Sequence, residues 1–247
     1  MSVVLVTGAA KRLGRAIAVK LAREGYDIAI HYRASKGEAE ILAAEVKALG
    51  RRAALVGGEL GDEADTATIV PRAVASLGVL TALVNSASVF EDDRVETATR
   101  ASWDKHLNTN LRAPLVLSQA FAKQLPSGAH GGIVNLIDQQ VLNLTPQFLS
   151  YTVSKAALWA LTQTLAQALA PRIRVNAVAP GPSLKAERQS QANFDAHVQA
   201  TLLRRPSAPE DIAGAVAYLL SAPAVTGQMI VVDSGQHLAW SPDKFFE

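Results

Sequence analysis

Residues 3–14 read Val3-Val4-Leu5-Val6-Thr7-Gly8-Ala9-Ala10-Lys11-Arg12-Leu13-Gly14, and they decide how the rest of the 247-residue chain is read. A short, purely aliphatic run suits a strand buried on both faces, and Thr7-Gly8 ends it in a turn. From Gly14 the apolar period changes. Ile17, Ala18, Leu21 and Ala22 fall on one helical face, and Gly25 supplies a stop. Glycine and alanine in the intervening turn let the backbone approach a pyrophosphate closely, and N–H groups at the helix start point toward its charge. The spacing departs from G-x-G-x-x-G, with Arg12 where a further glycine would be expected. Taken alone, the stretch is therefore also compatible with an ordinary glycine-rich βα turn.

Outward from this turn the alternation continues. Apolar runs predict strands at 27–31, 53–57, 80–85, 132–137, 172–178 and 228–232. Helical periodicity predicts helices over 36–49, 63–77, 99–124 with a break before Pro114, 150–169 and 209–221. Strands alternating with helices of this length imply an α/β fold, a doubly wound parallel sheet covered on both faces. No Pro-, Gly- or Ser-rich linker divides the chain, so residues 1–247 read as a single nucleotide-binding domain. The polar stretch at about 182–207 is placed to form a substrate loop over its mouth.

Composition narrows the function classes. Hydrophobic residues make up 49% and charged residues 19%, which excludes a disordered chain. With 24 Lys+Arg against 22 Asp+Glu, the charge of +2 gives no case for nucleic acid as the main partner. Zero cysteines remove disulfides, thiolate nucleophiles and Cys-rich zinc sites, and fit a reducing, cytoplasmic setting. Val3–Val6 is too short and lacks the basic lead of a signal peptide, and no segment reads as a membrane span. The five histidines show no H-E-x-x-H or paired-ligand spacing, so no metal is assigned.

The end of the second strand selects the cofactor. An NAD site usually has an acid there for the ribose 2′-hydroxyl. Here the run is His31-Tyr32-Arg33-Ala34-Ser35-Lys36, and the first acid is Glu38. Cations and a hydroxyl, with Lys11 and Arg12 nearby, suit a 2′-phosphate, so NADP(H) is expected over NAD(H). A solvated basic loop is the alternative reading of the same residues.

Tyr151 and Lys155 form the main chemical pair. Residues four apart share a helical face, and a neighbouring ammonium would lower the phenol toward the working range as a proton donor. The pair alone is a weak signal, but it follows the predicted fifth strand in a chain that opens on a dinucleotide turn.

With these motifs the sequence resembles the short-chain dehydrogenase/reductase family over nearly its whole length. The cofactor turn runs from Thr7-Gly8 to Gly14, Asn85-Ser86-Ala87-Ser88 resembles the family's N-N-A-G segment, and Pro180-Gly181 resembles the stretch bordering the nicotinamide. The resemblance implies a Rossmann-type sheet of about seven strands, hydride transfer from a nicotinamide, and a homotetramer. It places Asn110, Tyr151 and Lys155 at catalytic positions. It adds Leu13, Glu59, Leu60 and Ser183 to a cofactor set that includes Gly8, Lys11, Arg12, Gly14, His31, Tyr32, Arg33, Ser35, Asn85, Ser86, Ala87, Pro180 and Gly181. Ser86 departs from the usual second asparagine, and Glu59 stands where an aspartate often reads the adenine.

Position 138 is the larger departure. Most relatives carry a serine thirteen residues before the tyrosine, whereas this chain has Asp138 between Ile137 and Gln139. An ionised carboxylate cannot donate to a carbonyl oxygen and opposes the charge developing there. It could accept from an N–H-rich heterocycle or share a proton with Tyr151. It could also be a surface group, with another donor completing a carbonyl site.

That substitution points to the pteridine reductase-like subgroup, which the chain also resembles in Thr7 to Arg15, in His31-Tyr32 and in Asn85-Ser86-Ala87-Ser88-Val89-Phe90. By this resemblance Arg12 reaches both cofactor phosphate and pterin, Ser88 contacts the pterin, Phe90 stacks on it, and Asp138 acts beside Tyr151. The acidic run Glu91-Asp92-Asp93 reads as a solvated loop. The expected activity is NADPH-dependent reduction of a pteridine C=N bond, in a dihydropterin such as dihydrobiopterin, dihydromonapterin or dihydrofolate. A short-chain carbonyl reductase of the 3-oxoacyl or sugar type is the alternative. A non-catalytic NADP(H) sensor is a third reading, against which the intact Asn110, Tyr151 and Lys155 count.

Overall fold

β1 (Val3–Val6) is an inner strand of a seven-stranded parallel sheet in the computed structural model, which describes residues 2–185 and 189–239. It is flanked by β2 (Asp27–Tyr32) and β4 (Ala82–Asn85). With β3 (Ala53–Gly57), β5 (Gly131–Leu136), β6 (Ile173–Pro180) and β7 (Met229–Val232), the order is β3-β2-β1-β4-β5-β6-β7. Every pairing is parallel. The fold is a Rossmann-type α/β fold. Strand order reverses beside β1, and in such sheets ligands bind in the crevice outside the carboxyl ends of the strands at that point.

Side-chain alternation builds two layers. Val4, Val6, Ile28, Ile30 and Val84 face α1 (Arg12–Arg23), α2 (Lys36–Ala48) and α8 (Pro209–Ser221). Val3, Leu5, Ala29 and Leu83 face α3 (Glu63–Leu77) and α5 (Ala113–Gln124) on the other side, where α6 (Leu149–Leu169) also packs through Leu165 and Ala166. Each fully buried aliphatic side chain of this kind contributes about 1.5–3 kcal/mol.

The predicted 99–124 helix is two helices, α4 (Arg100–Leu107) and α5, joined by a π-turn at Asn108–Arg112. The extra residue per turn widens the ladder one step before Pro114, which lacks an N–H to donate. The 182–207 stretch contains a further helix, α7 (Gln191–Gln199), and its base is tied by Ser207 N–H donating to Pro182 O. Residues 186–188 of that stretch lie outside the described residues. Among the described residues no helix is long and apolar enough to cross a membrane, and no group of three or more His, Cys, Asp or Glu could hold a metal.

Candidate active site

Thr7 begins the site. Its hydroxyl accepts the N–H groups of Ser86 (2.9 Å) and Ala87 (3.0 Å), so the β1–α1 turn and the end of β4 are stitched together at the reversal point. Gly8 has φ +63° and packs so closely on Ala87 that a Cβ would lie 3.0 Å from its Cα. A Cβ on Gly14 would meet Gly8 O at 2.2 Å, so only glycine lets helix α1 start against the turn. Arg12 takes φ +53°, the left-handed conformation in which glycine carries no Cβ penalty, at the position where the sequence departs from glycine.

A cleft of about 1120 Å³ opens over this turn. Its walls bring together Gly8, Lys11, Arg12, Leu13 and Gly14 with Tyr32, Arg33 and Ser35, with Ser86 and Ala87, and with Pro180, Gly181 and Ser183. A smaller recess of about 300 Å³ adds Glu59 and Leu60. The shape fits an extended dinucleotide: a glycine cradle at a helix N-terminus for the pyrophosphate, with Tyr32, Arg33 and Ser35 at one end and Tyr151 and Lys155 at the other.

Two predicted cofactor residues, His31 and Asn85, sit differently from the expectation. His31 is buried, and both ring nitrogens are committed to backbone: Nδ1 accepts from Gly8 N–H (3.1 Å), and Nε2 faces Gly58 O (3.2 Å) as its donor. Burial pushes this imidazole down to about 4, so it is a neutral peg under the glycine turn. Asn85 turns into the interior and donates to Asn135 Oδ1 at 2.8 Å. The expected gathering of cations on one phosphate is also looser. Lys11 pairs with Glu38 (2.6 Å), Arg33 approaches Glu59 (3.6 Å), and Lys36 leans toward Glu40 (3.9 Å), outside the cleft lining. Arg12 donates to the carbonyls of Leu184 and Lys185, both at 3.0 Å, and so touches the 182–207 stretch.

The chemical end of the cleft is built by β5 and α6. Asp138 follows β5, half-buried, with Oδ1 accepting Gln140 N–H (2.9 Å) and Oδ2 accepting the Tyr151 hydroxyl (2.7 Å). It is therefore not a surface carboxylate. Lys155 is 2% exposed, donates to Leu136 O at 2.8 Å, and lies 5.7 Å from the centroid of the Tyr151 ring.

Burial pushes the Asp138 carboxyl up, against the pull of Gln140 N–H, Tyr151 and Lys155. Burial and the facing carboxylate push the Tyr151 phenol well above 10. Burial brings the Lys155 ammonium down to about 8, with Asp138 opposing. The expectation that Lys155 lowers Tyr151 is thus corrected: burial and the nearer Asp138 dominate, and Tyr151 stays protonated across the neutral range.

Asn110, on the π-turn, uses its whole amide structurally. Oδ1 accepts from Val89 N–H (2.8 Å) and the Ser88 hydroxyl (3.2 Å), while Nδ2 donates to Val89 O (2.9 Å) and Ser154 Oγ (3.0 Å). It binds the loop after β4 to the helix that carries Tyr151. Phe90 leaves that loop and stacks on Phe148, with centroids 4.6 Å apart and planes at 20°, and meets Tyr151 edge-on at 4.6 Å.

Sequence reasoning missed Phe148, which lines the cleft with left-handed backbone (φ +57°), and His106, whose ring lies edge-on 6.3 Å from Tyr151. It also misplaced Asp93, which is 3% exposed and not part of a solvated loop. The residue order around Asp93 carries no signal for this, because its hydroxyl partners, Ser102 and Ser150, come from two separate helices.

A glycine turn at the strand reversal, facing a Tyr-x-x-x-Lys helix across one cleft, defines a class of oxidoreductase, and the chain belongs to the short-chain dehydrogenase/reductase family. The family model described as enoyl-(acyl carrier protein) reductase matches residues 8–237. Among curated proteins, the chain is 34% identical to the 3-oxoacyl-[acyl-carrier-protein] reductase FabG of Staphylococcus epidermidis over 95% of this chain and 98% of that protein. Among solved structures, it is similar to FolM alternative dihydrofolate reductase 1 from Brucella canis complexed with NADP (42% identity, TM-score 0.93, 100% of this chain and 98% of that one). The Brucella suis protein of the same description, also in complex with NADP, gives 45% identity and a TM-score of 0.94, with 98% of each chain covered.

Proposed function

We propose that this enzyme is an NADPH-dependent reductase of a pteridine C=N bond, converting a dihydropterin to its tetrahydro form. The observation that carries the reading is Asp138 bonded to Tyr151 at 2.7 Å, where a carbonyl-reducing site needs a hydroxyl donor. The 42–45% identity to the two FolM proteins supports it independently. The cofactor is NADP(H), bound by the residues of the glycine turn and by Tyr32, Arg33 and Ser35. When bound, it supplies the hydride for a ring carbon.

The chain's own residues manage the proton and the ring. Tyr151 gives its Oη proton to the adjacent ring nitrogen. Asp138, whose carboxyl is raised by burial, takes up a proton at the cleft and returns it to Oη. Lys155 keeps a positive charge near the phenolate that exists between the two transfers. Phe90, paired with Phe148, offers a flat apolar wall for a heterocycle, Ser88 offers a hydroxyl beside it, and Arg12 bridges the turn and the substrate loop. Asn110 holds Ser88 and Val89 in place. The chain acts as one nucleotide-binding domain, with 182–207 as its substrate loop, and assembles as a homotetramer, which sedimentation equilibrium checks.

The 34% identity to FabG favours a second reading, a 3-oxoacyl-type carbonyl reductase. NADPH oxidation with a dihydropterin panel beside a 3-oxoacyl and ketose panel separates them. Turnover of pterins only is expected; turnover of carbonyls only overturns the reading.

A further inference from the structure

Helix α6 carries Tyr151 yet lacks a cap of its own. Its preceding residue, Phe148, has no side-chain oxygen to offer the first N–H groups and sits in left-handed backbone (φ +57°, ψ 44°). The missing acceptors come from another part of the chain. Asp92 Oδ1 accepts Phe148 N–H at 3.1 Å, Asp93 O accepts Leu149 N–H at 2.9 Å, and Asp93 Oδ1 accepts Ser150 N–H at 2.8 Å. Asp93 Oδ2 accepts the hydroxyls of Ser150 (2.5 Å) and Ser102 (2.8 Å). A carboxylate is also the favoured charge at a helix N-terminus.

The other side of this loop is fixed as well. Ser102 belongs to the capping box of α4, and its carbonyl accepts from His106 Nδ1 at 2.9 Å, while His106 Nε2 accepts Glu91 N–H at 3.2 Å. Asp93 is therefore held from α4 and holds α6, with Phe148 two residues before Ser150 and Tyr151 one residue after it. Burial acts to raise its carboxyl, but the hydrogen bonds from Ser150 and Ser102, with nearby His106, outweigh burial and keep it below the usual carboxylate range. It stays ionised in the neutral range.

We propose that Asp93 is a positioning residue: by capping α6 from outside the helix it sets the aim of the Tyr151 hydroxyl at the substrate and holds the Phe148 ring in the cleft, without touching a reacting atom. The proposal rests on Tyr151 being the proton donor, and it holds for a pterin or a carbonyl substrate alike.

The test compares the parent with Asp93→Ala, Asp93→Asn and Ser150→Ala. Each is assayed with whichever substrate class the parent reduces, with NADPH affinity read by fluorescence titration and amide exchange followed over residues 148–155. Misplacement by a fraction of an ångström is expected to lower kcat about 10-fold or more in Asp93→Ala and to raise the substrate KM, with NADPH Kd within about twofold. Asp93→Asn, which keeps one acceptor oxygen, is expected to recover part of kcat, and exchange at the start of α6 is expected to rise while the sheet stays protected. A folded Asp93→Ala with kcat and KM unchanged and only a lower unfolding midpoint overturns the proposal. If Asp93→Ala does not fold, Ser150→Ala decides, with a loss of about threefold or more expected and an unchanged kcat overturning it. If the parent reduces ketones and not pterins, the pterin reading fails and the same variants still test Asp93. If the parent reduces neither, unchanged exchange over 148–155 in Asp93→Ala overturns it.

Discussion

Tyr151 donates its hydroxyl hydrogen to Asp138 Oδ2 at 2.7 Å, so the phenol proposed as the proton donor is bonded directly to the carboxylate on which the pterin reading rests. Replacing Asp138 by serine removes the acceptor and supplies a donor for a carbonyl oxygen. We expect Asp138→Ser to lose pterin reduction by about 10²-fold or more in kcat and to gain ketone reduction, measured as kcat/KM on both panels. Unchanged pterin turnover would show that Asp138 is misassigned.

The Lys155 ammonium, brought down to about 8 by burial, loses its charge as pH rises through that value. Activity that needs this charge is therefore full on the acid side and falls above about 8. A pH profile of kcat/KM checks it, and a plateau continuing to pH 10 would contradict it.

Much of this was legible in the sequence. The inner strands β1 and β4 are buried on both faces and read as short aliphatic runs, and the turn after Val6 reads as a dinucleotide turn. Tyr151 and Lys155 are suggested by their spacing behind the dinucleotide turn, and Asp138 by the resemblance to the family. What spacing does not carry is direction: Lys155 shares a face with Tyr151 yet donates to Leu136 O, while burial and then the facing Asp138 move the phenol up and not down. His31 and Asp93 are read wrongly for the same reason. One looked like a phosphate ligand and the other like a solvated acid, and both are held by backbone or hydroxyl groups far away in sequence. The helix Gln191–Gln199 has a weak apolar face, so no periodicity announces it.

Gly14→Ala places a methyl 2.2 Å from Gly8 O, and the contact is backbone, which cannot step aside. NADPH binding is expected to weaken by about 10-fold or more. Gly37→Ala, where a Cβ meets nothing within 4 Å, is the control and is expected to bind normally. Fluorescence titration of both variants reads the difference, and equal affinities would remove the close approach from the account.

His31 makes the fold acid-sensitive. Its folded value of about 4 lies below the unfolded 6.5, so the unfolded chain takes up the proton first as pH falls. The stability this neutral ring gives is present above 6.5 and lost by about 4, an effect of about 3 kcal/mol. Urea midpoints at pH 7 and pH 4 are expected to differ less in His31→Gln than in the parent. The same pH dependence in both would contradict the role given to the ring.

The most direct test of the central claim follows the hydride itself. NADPH deuterated at the reactive nicotinamide carbon is mixed with the enzyme, a dihydropterin and a 3-oxoacyl substrate together, and the products are weighed by mass spectrometry. The account predicts one deuterium in the tetrahydropterin and none in the hydroxyacyl product. Deuterium in the hydroxyacyl product alone would contradict it.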